Sequence, residues 1–423
     1  MVNGTRPPTE RRERPVDEEN PPNHPYLQGE NSTMTRTRTT GVFASVVALS
    51  LVVAACGGDD QAAEEPAAEP ASEEAAEETA SAVDLSADCP NPIVVQTDWF
   101  PEAEHGALYN LIGDGYTVDT EAKTVRGPMV QNGESLGIDF EVRTGGPAIG
   151  FAPVQSYVYT DDSITFGYAN TESQVLSFND AALLAVVAPL EINPQMIMWD
   201  PETYPNVESI ADLGAEGVTI NVFGGGVFAE TFVAQGIWTE DQIDPSYDGS
   251  PARFISEGGA IAQQGFASAE PYDYLNTFAD WGKEVAFQTL HDAGFEVYAA
   301  QIGIRPEQKD ELDACLKKFV PIMQQSVVDY VAAPEHANGI IVDAVEQFAD
   351  FWVQSDAITA WSVEQQVALG LVGNGPDSTV GNMDADRIQG VIDSMAAAGM
   401  DVPEGLTADQ LFTNEYIDTS IGF

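Results

Sequence analysis

Short apolar runs that alternate with helix-like segments dominate the chain between residues 92 and 304. Runs such as "PIVVQTD" (92–98) and "IDFEVRTGG" (138–146) have the length and the alternation of strands. Strands that alternate with helices predict an α/β fold with mainly parallel sheets. From Pro306 onward, apolar residues recur at helical spacing in long segments, which predicts a helical C-terminal third.

Two long apolar runs, 181–192 and 295–304, enclose a self-contained α/β block. A chain of this length is too large for one core and divides into lobes of about 100–200 residues. We therefore predict two α/β lobes joined by two crossing segments, with a ligand cleft between them. The predicted division is a first lobe of residues 89–186, a second lobe of 187–296, and a return to the first lobe with the C-terminal helices at 297–423.

The start of the chain contains three kinds of sequence that are unsuited to a packed core. Residues 1–33 predict a disordered or mis-annotated extension, with translation starting at Met34. Residues 34–55 have the basic start and short apolar run of a lipoprotein signal peptide, and "VAAC" matches a lipobox in which Cys56 is lipidated. Residues 56–88 predict an extended acidic tether. We expect a lipid-anchored, extracytoplasmic protein; the alternative is an ordinary signal peptide with a chance cysteine.

The charge balance excludes several classes of partner. The chain has 68 Asp and Glu against 16 Lys and Arg, a net charge of −52. Nucleic acid and anionic lipid surfaces are recognised by clustered Lys and Arg, so neither is an expected partner. We interpret the acidic surface as a feature of solubility and of a saline habitat.

The cysteines and histidines predict neither a metal site nor a cofactor. Cys89 and Cys315 are the cysteines that follow Cys56. Outside the cytoplasm such a pair predicts a disulfide, with two separate buried thiols as the alternative. The histidines of the globular part form no pair at i,i+4 spacing, and no EF-hand or P-loop pattern is present in the sequence.

The sequence "GESLG" (133–137) matches the G-x-S-x-G nucleophile elbow but has the wrong surroundings. The elbow needs a helix after it, and here a strand-like run follows. We interpret it as a turn and predict no catalytic residue. A secreted hydrolase that uses acidic pairs in the cleft is the alternative from another functional class.

The strongest candidate for a binding loop is "QTDWFPEAEHGALY" (96–109), directly after the first predicted strand. Trp99 and Phe100 offer flat apolar faces to a ring. His105 and Tyr109 are four residues apart and share one face of a helix. We predict that this segment grips a ligand, with core packing as the alternative.

Further candidate ligand residues lie on loops and at predicted helix starts. Glycine-rich turns expose backbone N–H groups that suit a polar ligand, and the carboxylate in "SAEPYDY" can accept hydrogen bonds. The alternatives are tight turns and a solvated acidic loop. The candidates are Thr144, Gly145, Asn170, Gly224, Gly225, Gly226, Glu270 and Tyr272.

These segments resemble the solute-binding proteins of ABC importers over roughly residues 92–418. "TDWFPEAEHGALY" is similar to their "LDW-P-x-x-x-H-x-G-L/I-Y" segment, and "EGGAIAQQGFASAEPYDY" to their "E-P" element. "LFTNEYI" (411–417) is similar to their C-terminus. The resemblance is closest to the branch that binds thiamine-pyrimidine precursors and riboflavin, and more distant to sulfonate and nitrate binders.

The resemblance implies a periplasmic-binding-protein type II fold without catalysis. It implies a ring held between the lobes by Trp99 and Glu270, with His105 and Tyr109 at matching positions, and hinge closure around it. It also implies an ABC permease and its ATPase as partners, and a monomeric receptor. A pyrimidine synthase in the same family uses a cysteine-rich motif with iron, which this sequence lacks. Pyrimidine precursor, flavin, sulfonate and nitrate all remain open as the solute.

Overall fold

The computed structural model describes residues 83–423. The predicted extension, signal peptide and lipidated Cys56 lie outside the described residues, as does the tether up to residue 82. None of the helices between residues 83 and 423 combines the length and the apolar content that a membrane span requires.

Strands of the described region form two separate sheets. The strands are β1 Ile93–Gln96, β2 Thr117–Asp119, β3 Thr124–Gln131, β4 Glu134–Arg143, β5 Phe166–Ala169, β6 Leu184–Val187, β7 Gln195–Trp199, β8 Ile220–Asn221, β9 Ile243–Asp244, β10 Ala262–Phe266, β11 Ala286–Thr289 and β12 Gln301–Ile304. The first sheet has seven strands in the order β2-β3-β4-β1-β5-β12-β6, and the second has five in the order β11-β7-β10-β8-β9. We call the first sheet with its helices the first lobe, and the second sheet with its helices the second lobe.

The prediction of mainly parallel sheets is wrong, because both sheets are mixed. β1 pairs in parallel with β4 and β5, whereas β12 runs antiparallel to β5 and β6. A tight turn joins β3 directly to β4, and its residues Asn132 and Gly133 both have positive φ. An Asn-Gly turn of this kind returns the chain antiparallel without an intervening helix.

The helical C-terminal third is confirmed by the long helices that follow β12. α8 buries Leu316, Phe319 and Met323 against the first sheet, and the Phe319 ring stacks on Phe166 with centroids 4.5 Å apart. The helices of the described region are α1 Gly106–Tyr109, α2 Val154–Thr160, α3 Thr171–Ala181, α4 Ile210–Glu216, α5 Val227–Ala234, α6 Ala252–Ser256, α7 Glu270–Asn276, α8 Lys309–Ala332, α9 Glu335–Phe348, α10 Asp356–Ala368 and α11 Ala385–Ala397.

The last long helix, α11, packs on the second lobe. Its residues Ile388, Val391 and Met395 belong to the same buried cluster as Phe232 of α5. The predicted division places this part of the chain in the range 297–423, together with the return to the first lobe. A helix that follows the first lobe in the chain therefore covers the core of the second, which joins the two lobes on one side.

The chain passes between the sheets after β6 and returns before β12, and Arg387 of α11 binds both crossing segments. Its guanidinium donates hydrogen bonds to the carbonyl of Glu191 (2.8 Å) and to the carbonyl of Val297 (3.0 Å). It also lies 3.8 Å from the centroid of the Tyr298 ring. A planar group with five N–H donors can hold two backbone segments at once, so Arg387 fixes the crossings side by side.

A disulfide joins Cys89 to Cys315. Cys89 precedes β1, and Cys315 lies on α8 and is fully buried. The bond therefore attaches the long helix to the beginning of the first sheet.

Candidate ligand-binding site

A cavity of about 500 Å³ lies between the two lobes, and we call it the cleft cavity. Residues of both lobes line it near the carboxyl ends of β1, β8, β9 and β10, where open α/β sheets commonly bind ligands. The first lobe contributes Asp98, Trp99, Glu102, Phe151 and Trp352. The second lobe contributes Gln195, Phe223, Gly224, Tyr247, Asp248, Gly249, Gln264, Gly265, Phe266, Ala269 and Glu270.

The loop that carries Trp99 is fixed by the glycine turn after β4. The backbone N–H of Gly145 donates to the carbonyl of Trp99 (2.9 Å), and that of Gly146 donates to the carbonyl of Asp98 (2.8 Å). A Cβ atom at position 145 would lie 2.2 Å from the carbonyl oxygen of Thr97. The "RTGG" turn therefore needs glycine for close approach of the two backbones, and its contribution to the site is to position the indole.

Gly146→Ala is expected to weaken solute binding by displacing the indole. Gly146 has a φ of 57°, and a Cβ there would lie 2.6 Å from Trp99 Cε3. Gly150→Ala is the matched control, because Gly150 also has a left-handed φ of 61° but has open space around its Cβ position. In both variants the left-handed backbone conformation destabilises the folded state by about 1–2 kcal/mol, because alanine has a Cβ atom. Calorimetry should show weaker binding in Gly146→Ala alone, and equal affinities would contradict the positioning role.

Aromatic rings from both lobes form the walls of the cleft cavity. Trp99 lies 5.9 Å from Phe223 of the second lobe at 66°, and 5.9 Å from Trp352 at 85°. Phe151 lies 6.0 Å from Trp99, and Tyr247 lies 4.7 Å from Phe223. These distances are typical of aromatic contacts, so the rings of the two lobes meet across the cleft.

Two carboxyl groups of the cavity have raised pKa values. Glu270 begins α7, and its Oε2 accepts a hydrogen bond of 2.6 Å from the backbone N–H of Phe266. Burial outweighs that bond and raises the pKa of Glu270 to about 7. Burial also raises the pKa of Glu102 well above its ordinary value, and the nearby charges of Glu104 and Asp98 add to the effect.

His105 lies behind the cavity wall and holds Asp98. Its Nε2 lies 3.0 Å from Asp98 Oδ1, and its ring packs edge-on against Tyr168 with centroids 5.0 Å apart. His105 is 2% exposed, so it has no open path to a solute. The structure therefore places His105 as a support for Asp98, a carboxylate that lines the cavity.

A buried hydrogen bond also links the lobes beside the cavity. The hydroxyl of Ser268 in the second lobe donates to the carboxylate of Glu104 in the first. Ser362 Oγ of α10 lies 3.4 Å from the same carboxylate oxygen. Glu104 is 6% exposed and Ser268 is fully buried, so this contact between the lobes is shielded from solvent.

The cleft cavity brings together some of the sequence-predicted residues, namely Trp99, Gly224 and Glu270. Phe100 stacks on Trp352 behind the wall, at 6.1 Å and 10°. Tyr109 is part of the first lobe's core, and Thr144 is buried under the Trp99 loop.

The other predicted residues lie around the cavity without lining it. Asn170 caps α3, accepts a hydrogen bond from the backbone N–H of Ser173 and lines a smaller cavity of about 220 Å³ on the other side of Trp99. Gly225 and Gly226 form the turn before α5. The Tyr272 ring lies 5.6 Å from Trp361 of α10.

Sequence reasoning missed several of the wall residues. Phe223 stands directly before the predicted glycine turn, and Asp98 and Glu102 lie on either side of Trp99 and Phe100. The position of these three residues next to predicted site residues could have identified them as candidates. Tyr247 precedes an Asp-Gly turn after β9. Trp352 follows the end of α9 at Phe348 and lies between two helices of the predicted helical C-terminal third.

Comparison with solved structures shows the fold. A protein of Bordetella bronchiseptica has 13% identity over 77% of this chain and 96% of its own, with a TM-score of 0.50. The periplasmic aliphatic sulphonate binding protein of Escherichia coli has 12% identity over 76% of this chain and 92% of its own, also with a TM-score of 0.50. No family model and no curated protein matches the chain. The chain has the periplasmic-binding-protein fold, with two α/β lobes around a cleft.

Proposed function

We propose that this chain is the extracytoplasmic solute-binding receptor of an ABC importer. In this role it captures a small solute and delivers it to a permease and its ATPase. The observation that carries the proposal is a cavity of about 500 Å³ whose walls come from both lobes. The shared fold with periplasmic binding proteins supports the same class by analogy.

The mechanism is hinge closure around the solute. The contacts between Trp99 and Phe223, and between Ser268 and Glu104, join opposite lobes. Such contacts exist only when the lobes are together, so a solute that touches both lobes shifts the population toward the closed state. The two crossing segments bound by Arg387 are the positions where the chain bends.

For the solute, we put forward a small heterocycle, a thiamine-pyrimidine precursor or a related compound. The indole of Trp99 provides an apolar face for the ring, and the carboxylate of Glu270 provides an acceptor for ring amino or N–H groups. Riboflavin, and a solute of the sulfonate or nitrate type, are the alternatives within the same fold. We further propose a monomer anchored to the membrane through a lipid on Cys56.

The test is a thermal-shift panel of pyrimidine precursors, riboflavin, sulfonates and nitrate, each at the highest concentration that its solubility allows. A ligand at about 100 times its Kd stabilises the folded state by about 2.7 kcal/mol, which gives a readily measured rise in Tm. Turnover assays on ester, glycoside and phosphate substrates provide the comparison. A rise in Tm without turnover is the expected result. Turnover would support a hydrolase instead. If none of the compounds raises the Tm, the protein is not a receptor of these solutes.

A further inference from the structure

The cleft cavity contains an excess of carboxyl groups. Asp98 and Glu102 line it from the first lobe, and Asp248 and Glu270 line it from the second. None of its described lining residues is Lys, Arg or His. Buried charges are normally paired, because an isolated charge loses its hydration without compensation. Glu102 is only 7% exposed, so water hydrates a charge on its carboxylate poorly.

The Lys and Arg residues of the described region pair with acids outside the cleft cavity. All ten Lys and Arg residues between positions 83 and 423 form salt bridges with carboxylates that do not line the cleft cavity. His105 is the nearest basic side chain to the cavity acids, with its Nε2 3.0 Å from Asp98 and 3.8 Å from Glu102, and it can offset one charge at most. Without a further cation the buried carboxyl groups hold protons, as the raised pKa values of Glu102 and Glu270 show, and a positively charged solute would stabilise their ionised forms.

The aromatic walls have the arrangement that suits a cation. Trp99, Phe223 and Trp352 all line the cleft cavity, and the Trp99 plane is inclined at 66° to Phe223 and 85° to Trp352. The negative face of an aromatic ring attracts a cation within about 6 Å, most strongly for Trp. Rings on several sides together with carboxylates favour a positively charged group and disfavour an anion.

We propose that the solute of this receptor carries a positively charged nitrogen, as an amine, a quaternary ammonium or a cationic heterocycle. The proposal rests on the receptor function proposed above and narrows its substrate class. The nitrogen lies against Trp99 and Phe223, with Glu102 and Glu270 as its counter-ions. Sulfonate and nitrate would face the same carboxylates and are rejected by like charge.

The titration of Glu270 supports this assignment. Burial raises the pKa of Glu270 to about 7. The titratable groups near it are Glu102, Glu104, Asp273, Tyr247 and Tyr274, with Asp98 next to Glu102 and Asp248 next to Tyr247. A cationic solute binds the ionised carboxylate and so competes with a proton. Its affinity should increase by about tenfold between pH 6 and pH 8, whereas that of an anion should decrease.

The experiment uses probes that match in shape and differ in charge. One set is choline and its uncharged carbon isostere dimethylbutanol. The other is the N-methylpyridinium carboxamide ion, its neutral analogue meta-toluamide and the anionic meta-toluate. Calorimetric titrations are run at pH 6 and pH 8 with EDTA at constant ionic strength. We expect the cation of at least one set to bind about tenfold or more tightly than its isostere.

Glu270→Gln should abolish most of that preference and the pH dependence, whereas Glu404→Gln, at an exposed position, should retain both. Tighter binding of a neutral or anionic member would overturn the cationic assignment, as would binding of Mg²⁺ alone in a separate titration without EDTA. If a neutral or anionic solute of the thermal-shift panel binds while every cation fails, the receptor function stands and this proposal falls. If nothing in either panel binds, both fall.

Discussion

Trp99→Ala is expected to weaken solute binding by at least about tenfold while leaving the fold intact. The indole lines the cleft cavity and touches rings of both lobes, and loss of such an aromatic contact typically costs about 1–3 kcal/mol. Trp99 is only half-buried and lies outside the main hydrophobic clusters of the described region, so its removal spares the cores. Isothermal titration calorimetry measures the change in affinity, and circular dichroism checks the fold.

Phe351→Ala is the matched control for this experiment. Phe351 is exposed and packs against Phe100, 5.5 Å between centroids, but it does not line the cleft cavity. This variant loses an aromatic ring next to the site and should keep its affinity. Equal affinities of Trp99→Ala and the wild type would reject the assignment of the site.

Glu270→Gln is expected to stabilise the solute-free protein by about 3 kcal/mol at pH 8, and by less than about 1 kcal/mol at pH 5. Folding raises the pKa of Glu270 from 4.5 to about 7, so the folded state holds this proton more tightly than the unfolded state. The stabilisation from the proton is complete below pH 4.5 and is lost as the pH rises through 7. Glutamine keeps an acceptor for the N–H of Phe266 but never ionises, so the variant avoids the loss.

Urea denaturation at the two pH values and constant ionic strength measures this effect. Glu404→Gln removes an exposed carboxylate and should change the free energy of unfolding by less than about 0.5 kcal/mol at either pH. A Glu270→Gln variant that is no more stable than the wild type at pH 8 would show that the carboxyl is not held in a low-dielectric site. We expect Glu270→Gln to be more stable than the wild type and yet to bind cations more weakly, so a loss of binding in this variant would not result from unfolding.

Some of the site was accessible from the sequence because its residues lie in continuous segments. Trp99 follows the first strand, Gly224 lies in a glycine turn and Glu270 begins a Pro-containing segment, so local chemistry marked each of them. Tyr247 and Trp352 carry no such local signal. They reach the cavity because the second sheet and the α9–α10 connection bring distant loops together, and that is determined by tertiary packing.

Helical spacing predicts that His105 and Tyr109 share one face of a helix, but it does not predict whether that face lies toward the cleft or toward the core. The helix there has only four residues, Gly106–Tyr109, and packs on α8 and α9, so Tyr109 enters the core. The antiparallel β3–β4 pair has its sequence signal in the two-residue turn Asn132-Gly133, whose glycine is also the first residue of the nucleophile-like "GESLG". The interpretation of "GESLG" as a turn does not by itself predict the hairpin.

The sequence alone also does not predict the positive charge that we propose for the solute. With 68 acidic residues in the chain, the sequence gives no special weight to any carboxylate. Only the positions of the side chains show that the bases of the described region pair with acids outside the cleft cavity while Glu102 and Glu270 face it.

The most direct test is a crystal structure of the protein with the solute that binds most tightly in the calorimetric panel. We predict that the solute lies between the lobes, with a positively charged nitrogen against the indole of Trp99 and within about 4 Å of the carboxylate of Glu102 or Glu270. A solute bound to one lobe outside the cleft, or an anionic group directed at those carboxylates, would contradict the account.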